Sequence, residues 1–280
     1  MTPAPDAPAA VPAAPPALGG LSRWQLLRVA LRSLLVQASW NYRGMMNMGF
    51  LFTLKPGLDR IHPDGEARAA AYARHLEYFN TNPYFSALVA GVVLSLEERL
   101  ARGEIAPDII RDTKEGLMTA FAAVGDGLFW DSWRPFVAVL ALTLAFGNVL
   151  YTPLLFLLVY NLPHAVCRFA GVFVGYRQGT DVIHLVHRLD LPRVRLRLRQ
   201  ATLVVLCFLA PNHVNLQTPY LLEVLPVQYF VVGQKVVQGL GALLLVGVLA
   251  MAHRARIDVL MISFLLMTAA LLLHHWGVLI

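Results

Sequence analysis

Three kinds of hydrophobic spacing succeed one another along the chain. In the first, Leu21, Trp24, Leu27, Leu31 and Leu35 recur every three or four positions, with Arg23, Arg28 and Arg32 between them. This predicts an amphipathic helix, lying in a membrane interface, against a partner, or in a core with its polar side outward. Glu66 to Phe79 is built of strong helix formers and predicts a second helix ending near Phe79. Pro83 disfavours helix at Asn82 and can itself open a new one, capped by Thr81 or Asn82, so a break is expected at Asn80, Thr81 and Asn82.

The second kind is short and unbroken. Tyr84 to Leu96 is apolar but shorter than the roughly 20 residues that cross a bilayer, and Glu97-Glu98-Arg99 is expected to stop it. After a polar connector, a second short piece, Gly116 to Trp130, is interrupted by Gly125-Asp126-Gly127. Such pieces point to re-entrant segments lining a transport site, although two buried helices of a core share the pattern. The third kind is long. Pro135 to Leu162 can span a membrane, with Asn148 and Pro153 perturbing it; Gln228 to Ala252 and Ile257 to Ile280 are further candidates.

Composition turns this pattern into a class. Of 280 residues, 57% are hydrophobic and 14% charged, against roughly 25% charged in an ordinary soluble domain. The expected fold is an all-α integral membrane protein with N-terminal amphipathic helices, two short re-entrant-like segments and several C-terminal transmembrane helices. Residues 1–20 are expected to be a disordered Pro/Ala tail, 21–134 the amphipathic and re-entrant region, and 135–280 the transmembrane region. Residues 1–130 carry no net charge and 131–280 carry +6. That excess gathers at Arg193, Arg195, Arg197 and Arg199 and at Arg254 and Arg256, as in cytoplasmic loops flanking spans; nucleic acid could explain only the first cluster. With both loops cytoplasmic, the polar cluster Asn212 to Pro219 falls on the opposite side.

Candidate chemistry is neutral and polar. Gln37 and Asn41, one helical turn apart, would share a face, and Trp40 could cover a sugar ring. His75, Glu77, Asn80, Thr81 and Asn82 surround the expected helix break, and Asp126 is an acid inside an apolar piece. Each group has a plainer reading, as helix caps or as packing glue between helices. Cys167 and Cys207 stand alone, without a disulfide or zinc pattern. His184 and His187 lack a third ligand, and no catalytic motif occurs, so no metal, cofactor or enzymatic activity is expected.

The segments Gln37-Ala38-Ser39-Trp40-Asn41-Tyr42-Arg43 and His75-Leu76-Glu77-Tyr78-Phe79-Asn80-Thr81-Asn82-Pro83 resemble the Gln-Gly-Ser-Trp-Asn-aromatic and His-Leu-Glu-Phe-Phe-Asn-Thr-x-Pro motifs of the IID component of mannose/fructose/sorbose-type sugar phosphotransferase systems. Gly116-Leu117-Met118, Val124-Gly125-Asp126, Phe129-Trp130, Arg134-Pro135 and His213-Val214-Asn215 extend the likeness from about Leu31 to the end. The resemblance implies a multi-pass subunit of the bacterial inner membrane that pairs with a IIC subunit in a hetero-oligomer. It implies movement of a hexose-type sugar by an elevator-like shift, beside soluble IIA and IIB phosphocarriers, and gives the chain itself no phosphorylated residue. The lipid bilayer is a partner in that picture and nucleic acid is not.

One stretch departs from the family. Thr119-Ala120 replaces Gly-Pro, Ala123 replaces a glycine, and Gly127 and Asp131 are unusual. Loss of Gly-Pro favours continuous helix there, while Gly127 loosens the chain beside Asp126. A non-transporting scaffold or regulatory relative is therefore the alternative to a permease subunit.

Overall fold

The computed structural model describes residues 20–144 and 151–213, with scattered positions from 240 onward. The expected tail 1–20, apart from Gly20, most of the spans after Gln228, the second arginine cluster apart from Arg254, which is helical, and the cluster Asn212 to Pro219 beyond His213 lie outside the described residues. Among those described, the regular structure is helical, joined by two isolated bridges, Asn41 to Met45 and Met45 to Phe79. Two compact units emerge, one from Met1–Arg134 with Leu154–Leu196 and one from Pro135–Pro153 with Arg197–Ile280.

The first unit begins with α1, Arg23–Ser33. Ser22 caps it through a reciprocal box: Gln25 N donates to Ser22 Oγ at 3.3 Å and Ser22 N to Gln25 Oε1 at 2.8 Å. Its inner face, Leu26, Val29, Ala30 and Ser33, is buried, whereas Trp24, Leu31 and Leu35 of the stripe picked out by the spacing are exposed, so the core reading does not hold for that stripe. In α2, Asn47–Ile61, apolar residues at helical spacing (Phe50, Leu54, Leu58 and Ile61) are buried. Pro56 lies inside this helix and has no N–H for the carbonyl of Phe52. Arg32 of α1 fills the vacancy, donating Nη1 to Phe52 O at 3.3 Å.

Asp64 caps α3, Gly65–His75, by accepting from the amides of Glu66 and Ala67. The helix stops four residues short of the expected Phe79, because Phe79 is used instead as a backbone splice: Met46 N donates to Phe79 O at 2.9 Å and Phe79 N to Gly44 O at 3.2 Å. The next helix, α4, Ser86–Ala101, is buried from Ser86 to Leu94. It does not start at Pro83; a turn intervenes, in which Asn82 O accepts from Phe85 N and Ser86 N. Nor do the charges after Leu96 end it, since Glu97 and Glu98 are buried members of the helix.

Pro107 opens α5, Pro107–Gly125, at its first turn. Continuous helix runs through Thr119 and Ala120, as the missing Gly-Pro predicts. The break expected at Gly125-Asp126-Gly127 is instead a π-helical stretch, Asp126–Trp133, in which Arg134 N donates to Phe129 O five residues back. Ser132 Oγ donates to Gly127 O at 2.9 Å and satisfies a carbonyl inside it.

The described parts of the expected span Pro135–Leu162 fall on α6, Arg134–Leu144, and α7, Thr152–Gln178, with Pro153 at the start of the latter; residues 145–150, Asn148 among them, lie outside the described residues. Among the described residues one helical run, Thr152–His184, is long and apolar enough to cross a membrane, by length and composition. Its buried face reads His164, Arg168, Gly171, Val172 and Gly175. A Cβ on Gly175 would strike the backbone of Leu88, and one on Gly91 that of Val172. Glycine therefore lets α7 lie directly on α4, the small-xxx-small device of close helix pairs. A 3-10 turn, Gly179–Asp181, leads to α8, Val182–Arg188, and then α9, Leu191–His213. The arginine cluster 193 to 199 sits on this last helix and not in a loop: Asp190 accepts from Arg193 N, and Pro192 occupies its first turn. Within the second unit, Val137, Val139 and Ala141 are buried.

Candidate functional site

The segment just after the first polar motif (37 to 43), residues 44 to 46, is zipped to the second motif (75 to 83) by the Phe79 splice. Asn41 and Asn47 reinforce it. Asn41 Oδ1 accepts from Gly44 N at 2.8 Å, Asn41 Nδ2 donates to Asn47 Oδ1 at 3.1 Å, and Asn47 Nδ2 reaches Leu76 O at 2.5 Å. Met45 adopts φ 56°, the left-handed region that non-glycine residues seldom enter, to make this reversal. Phe50 stacks on Phe79 beneath it, ring centroids 3.7 Å apart. Gln37 and Asn41 therefore do not share a helical face, because residues 34 to 46 form turns and a bridge. Gln37 and Trp40 are exposed, and Trp40 meets Tyr42 edge-on at 5.0 Å.

Beyond the splice the chain turns the corner Asn80-Thr81-Asn82. Asn80 is exposed, and its backbone N–H points at Met118 Sδ, 3.0 Å away on α5. Thr81 is buried, and its hydroxyl has no hydrogen-bond partner. Asn82 is buried with both ends of its amide used: Oδ1 accepts from Tyr84 N at 3.1 Å, and Nδ2 donates to Asp126 Oδ1 at 2.9 Å. Asp126 is the exposed first residue of the π stretch. Gly125 before it packs so closely that a Cβ would overlap the Asn82 side chain. Asn80, Thr81, Asn82 and Asp126 are thus gathered at one corner, from segments more than forty residues apart.

His75 and Glu77 face elsewhere. His75 is fully buried, and its Nε2 lies 2.8 Å from Glu97 Oε1. The same carboxylate receives His62 Nε2 at 2.8 Å and a two-pronged Arg74 guanidinium at 3.0 and 2.9 Å. Burial alone would raise the Glu97 carboxyl, but hydrogen bonds from His62 and His75 and the charge of Arg74 hold it far below the carboxylate range. Burial pulls the His75 imidazole below its ordinary value, against the opposing pull of Glu97. Glu77 is half-buried at the rim, 2.8 Å from Arg111 and 3.6 Å from the buried Lys114. The hydrogen bond from Arg111 keeps it ionised below the usual range.

Two features went unread in the sequence. Glu97 was assigned only to stop a segment, although an acid bordering an apolar run is the same signal that singled out Asp126. The other is an aromatic box beside the corner. Tyr84 stacks on His164 of α7 at 3.6 Å, with Tyr160 edge-on at 4.4 Å and Phe129 at 4.9 Å. Both His164 nitrogens are buried without a hydrogen-bond partner. Among the described residues no cluster of three His, Cys, Asp or Glu could hold a metal ion.

The comparisons with known proteins point to one family. A family model described as the PTS system mannose/fructose/sorbose family IID component matches residues 20–279. The mannose-specific EIID component of Escherichia coli (strain K12) is 42% identical over 165 residues, 58% of this chain and 58% of that one. The sorbose-specific EIID component of Klebsiella pneumoniae is 34% identical over 164 residues, 58% of this chain and 60% of that one. Each alignment thus spans less than two thirds of its relative. Among solved structures, a chain described as a membrane protein superposes with a TM-score of 0.74 at 32% identity, covering 92% of this chain and 98% of that one. A chain from the mannose transporter ManYZ in complex with microcin E492 gives 0.55 at 32% identity, with the same coverage.

Proposed function

Because the chain belongs to the mannose/fructose/sorbose IID component family of the sugar phosphotransferase systems, we propose that it is a multi-pass inner-membrane permease subunit. It pairs with a IIC subunit, binds a hexose-type sugar and passes it across the membrane, while soluble IIA and IIB proteins supply the phosphoryl group. The observation that carries this reading is the Asn82 to Asp126 hydrogen bond, which brings the polar corner and the π stretch into one site. Amides, a hydroxyl and one carboxylate suit a ligand that is rich in hydroxyls and has no charge to neutralise.

Within that site Asn80 and Asp126 are exposed polar groups able to meet a sugar directly, and Thr81 has hydrogen-bonding capacity to spare. Asn82 orients Asp126. Gln37, Trp40 and Asn41 contribute from the far side of the splice, Trp40 by covering a ring face. Glu77 acts at the rim, and His75 works through Glu97 to fix the corner. The π stretch is a suitable place for such a site, since single π turns inside helices concentrate at functional positions.

The test is sugar uptake by the chain assembled with its IIC partner and supplied with IIA and IIB. Asp126→Asn should lower uptake by about tenfold or more, the effect of losing a hydrogen bond to a charged group. Asn80→Ala and Glu77→Ala should each reduce it while the complex still assembles. Wild-type uptake in all three variants removes these residues from the site. The unbroken helix through Thr119 and Ala120 favours a second reading, a scaffold that keeps the partner contacts without transporting. Assembly with IIC but no sugar binding by the wild-type complex would select it.

A further inference from the structure

The first helix has two apolar faces, and only one is used. While Leu26, Val29, Ala30 and Ser33 enter the core, Trp24, Leu31 and Leu35 project on the opposite side, 65%, 45% and 53% exposed. Their spacing, continued by the turn after the helix, forms one straight ridge. Arg23 borders the ridge on one margin, Arg28 and Arg32 on the other. Arg32 is held there, its guanidinium 4.6 Å above the exposed ring of Phe52, which widens the ridge onto α2. Between Gly20 and Leu58 the chain has five bases and no acid.

We propose that this outer face of α1 docks onto the anionic headgroup layer of the bilayer, with the ridge immersed in the acyl boundary and the arginines on lipid phosphates. Charge complementarity decides the occupant. A bilayer carrying anionic lipid offers apolar depth and negative charge along both margins of any helix that lies in its plane. A protein partner would need an apolar groove flanked by acids on both sides to do the same. The cytoplasmic leaflet, with its negative surface potential, is the side this face fits. The docking goes beyond sugar transport and does not depend on it.

The experiment uses the full chain with Cys167 and Cys207 replaced by alanine and a spin label at Leu31→Cys or, separately, Leu35→Cys, both exposed and outside the core. The protein is reconstituted in liposomes containing phosphatidylglycerol or in phosphatidylcholine alone. Docking predicts that both labels relax with oxygen over an aqueous nickel chelate, at a depth of about 5–10 Å, in the anionic liposomes. Adding Arg23→Gln and Arg28→Gln should lower the docked-to-undocked ratio by about thirtyfold, the effect of two interfacial arginines. Labels open to nickel in both lipids would overturn the proposal. So would labels shielded from both reagents, which would mean that a protein, either a partner or a second copy, covers the face.

Discussion

Glu97 concentrates the energetics of this fold in a single side chain. Its carboxylate sits where α2, α3 and α4 meet, and all of its partners are cationic or can become so. Replacing it by glutamine leaves the part-buried Arg74 without its buried counter-charge, so Glu97→Gln should cost about 3 kcal/mol, seen as a lower thermal midpoint in detergent. The pH response has a defined sign. Glu97 is held below its ordinary value of 4.5, so its contribution is present above that pH and is lost as pH falls through its lower native value. His75 is kept neutral by burial; the unfolded chain therefore takes up a proton first, and stability is lost as pH falls below 6.5. Thermal midpoints measured from pH 7 downward should decline, and His75→Gln should shallow the first part of that slope.

Between elements, contact is set by glycine more than by bulk. The α4 to α7 seam needs Gly91 and Gly175, because a methyl at either would press on backbone. Gly175→Ala should therefore destabilise the first unit by about 1–3 kcal/mol, read by the same melt, whereas Gly116→Ala, with open space around it, should not. Helix formation in α1, α3 and α4 was legible because apolar spacing and helix propensity are local signals. The ends were not: α3 stops at His75 because the isolated bridge from residues 44 to 46 claims Phe79, and nothing near Phe79 announces that pairing. Asn82 and Asp126 were legible as polar oddities, but their contact depends on the course of α5. The arginine helix shows a missed local signal, since Asp190 and Pro192 mark a helix start before the alternating Leu and Arg.

For the molecule as a whole, the membrane assignment rests on composition, family and the Thr152–His184 run. Leu158, exposed at the outer side of α7, and Leu189, exposed beyond that run, make a direct test. In proteoliposomes of otherwise cysteine-free protein, Leu158→Cys should resist a membrane-impermeant maleimide while Leu189→Cys reacts when the membrane is opened to both sides. Equal reaction at both positions would place α7 in water. The membrane character was visible from 57% hydrophobic content before any motif was considered. The grouping of residues into two units was not, because Leu154–Leu196 joins the first unit across an intervening stretch.

The glycine seam also sets an order of events during synthesis. The face of α4 that carries Gly91 is completed only by α7, whose Gly175 is made about eighty residues later. At roughly 5–20 residues per second, that face waits about 4–16 s for its cover. A nascent chain stalled before Thr152 thus holds an apolar helix uncovered, and quality control should clear such fragments quickly while sparing those that extend past Gln178.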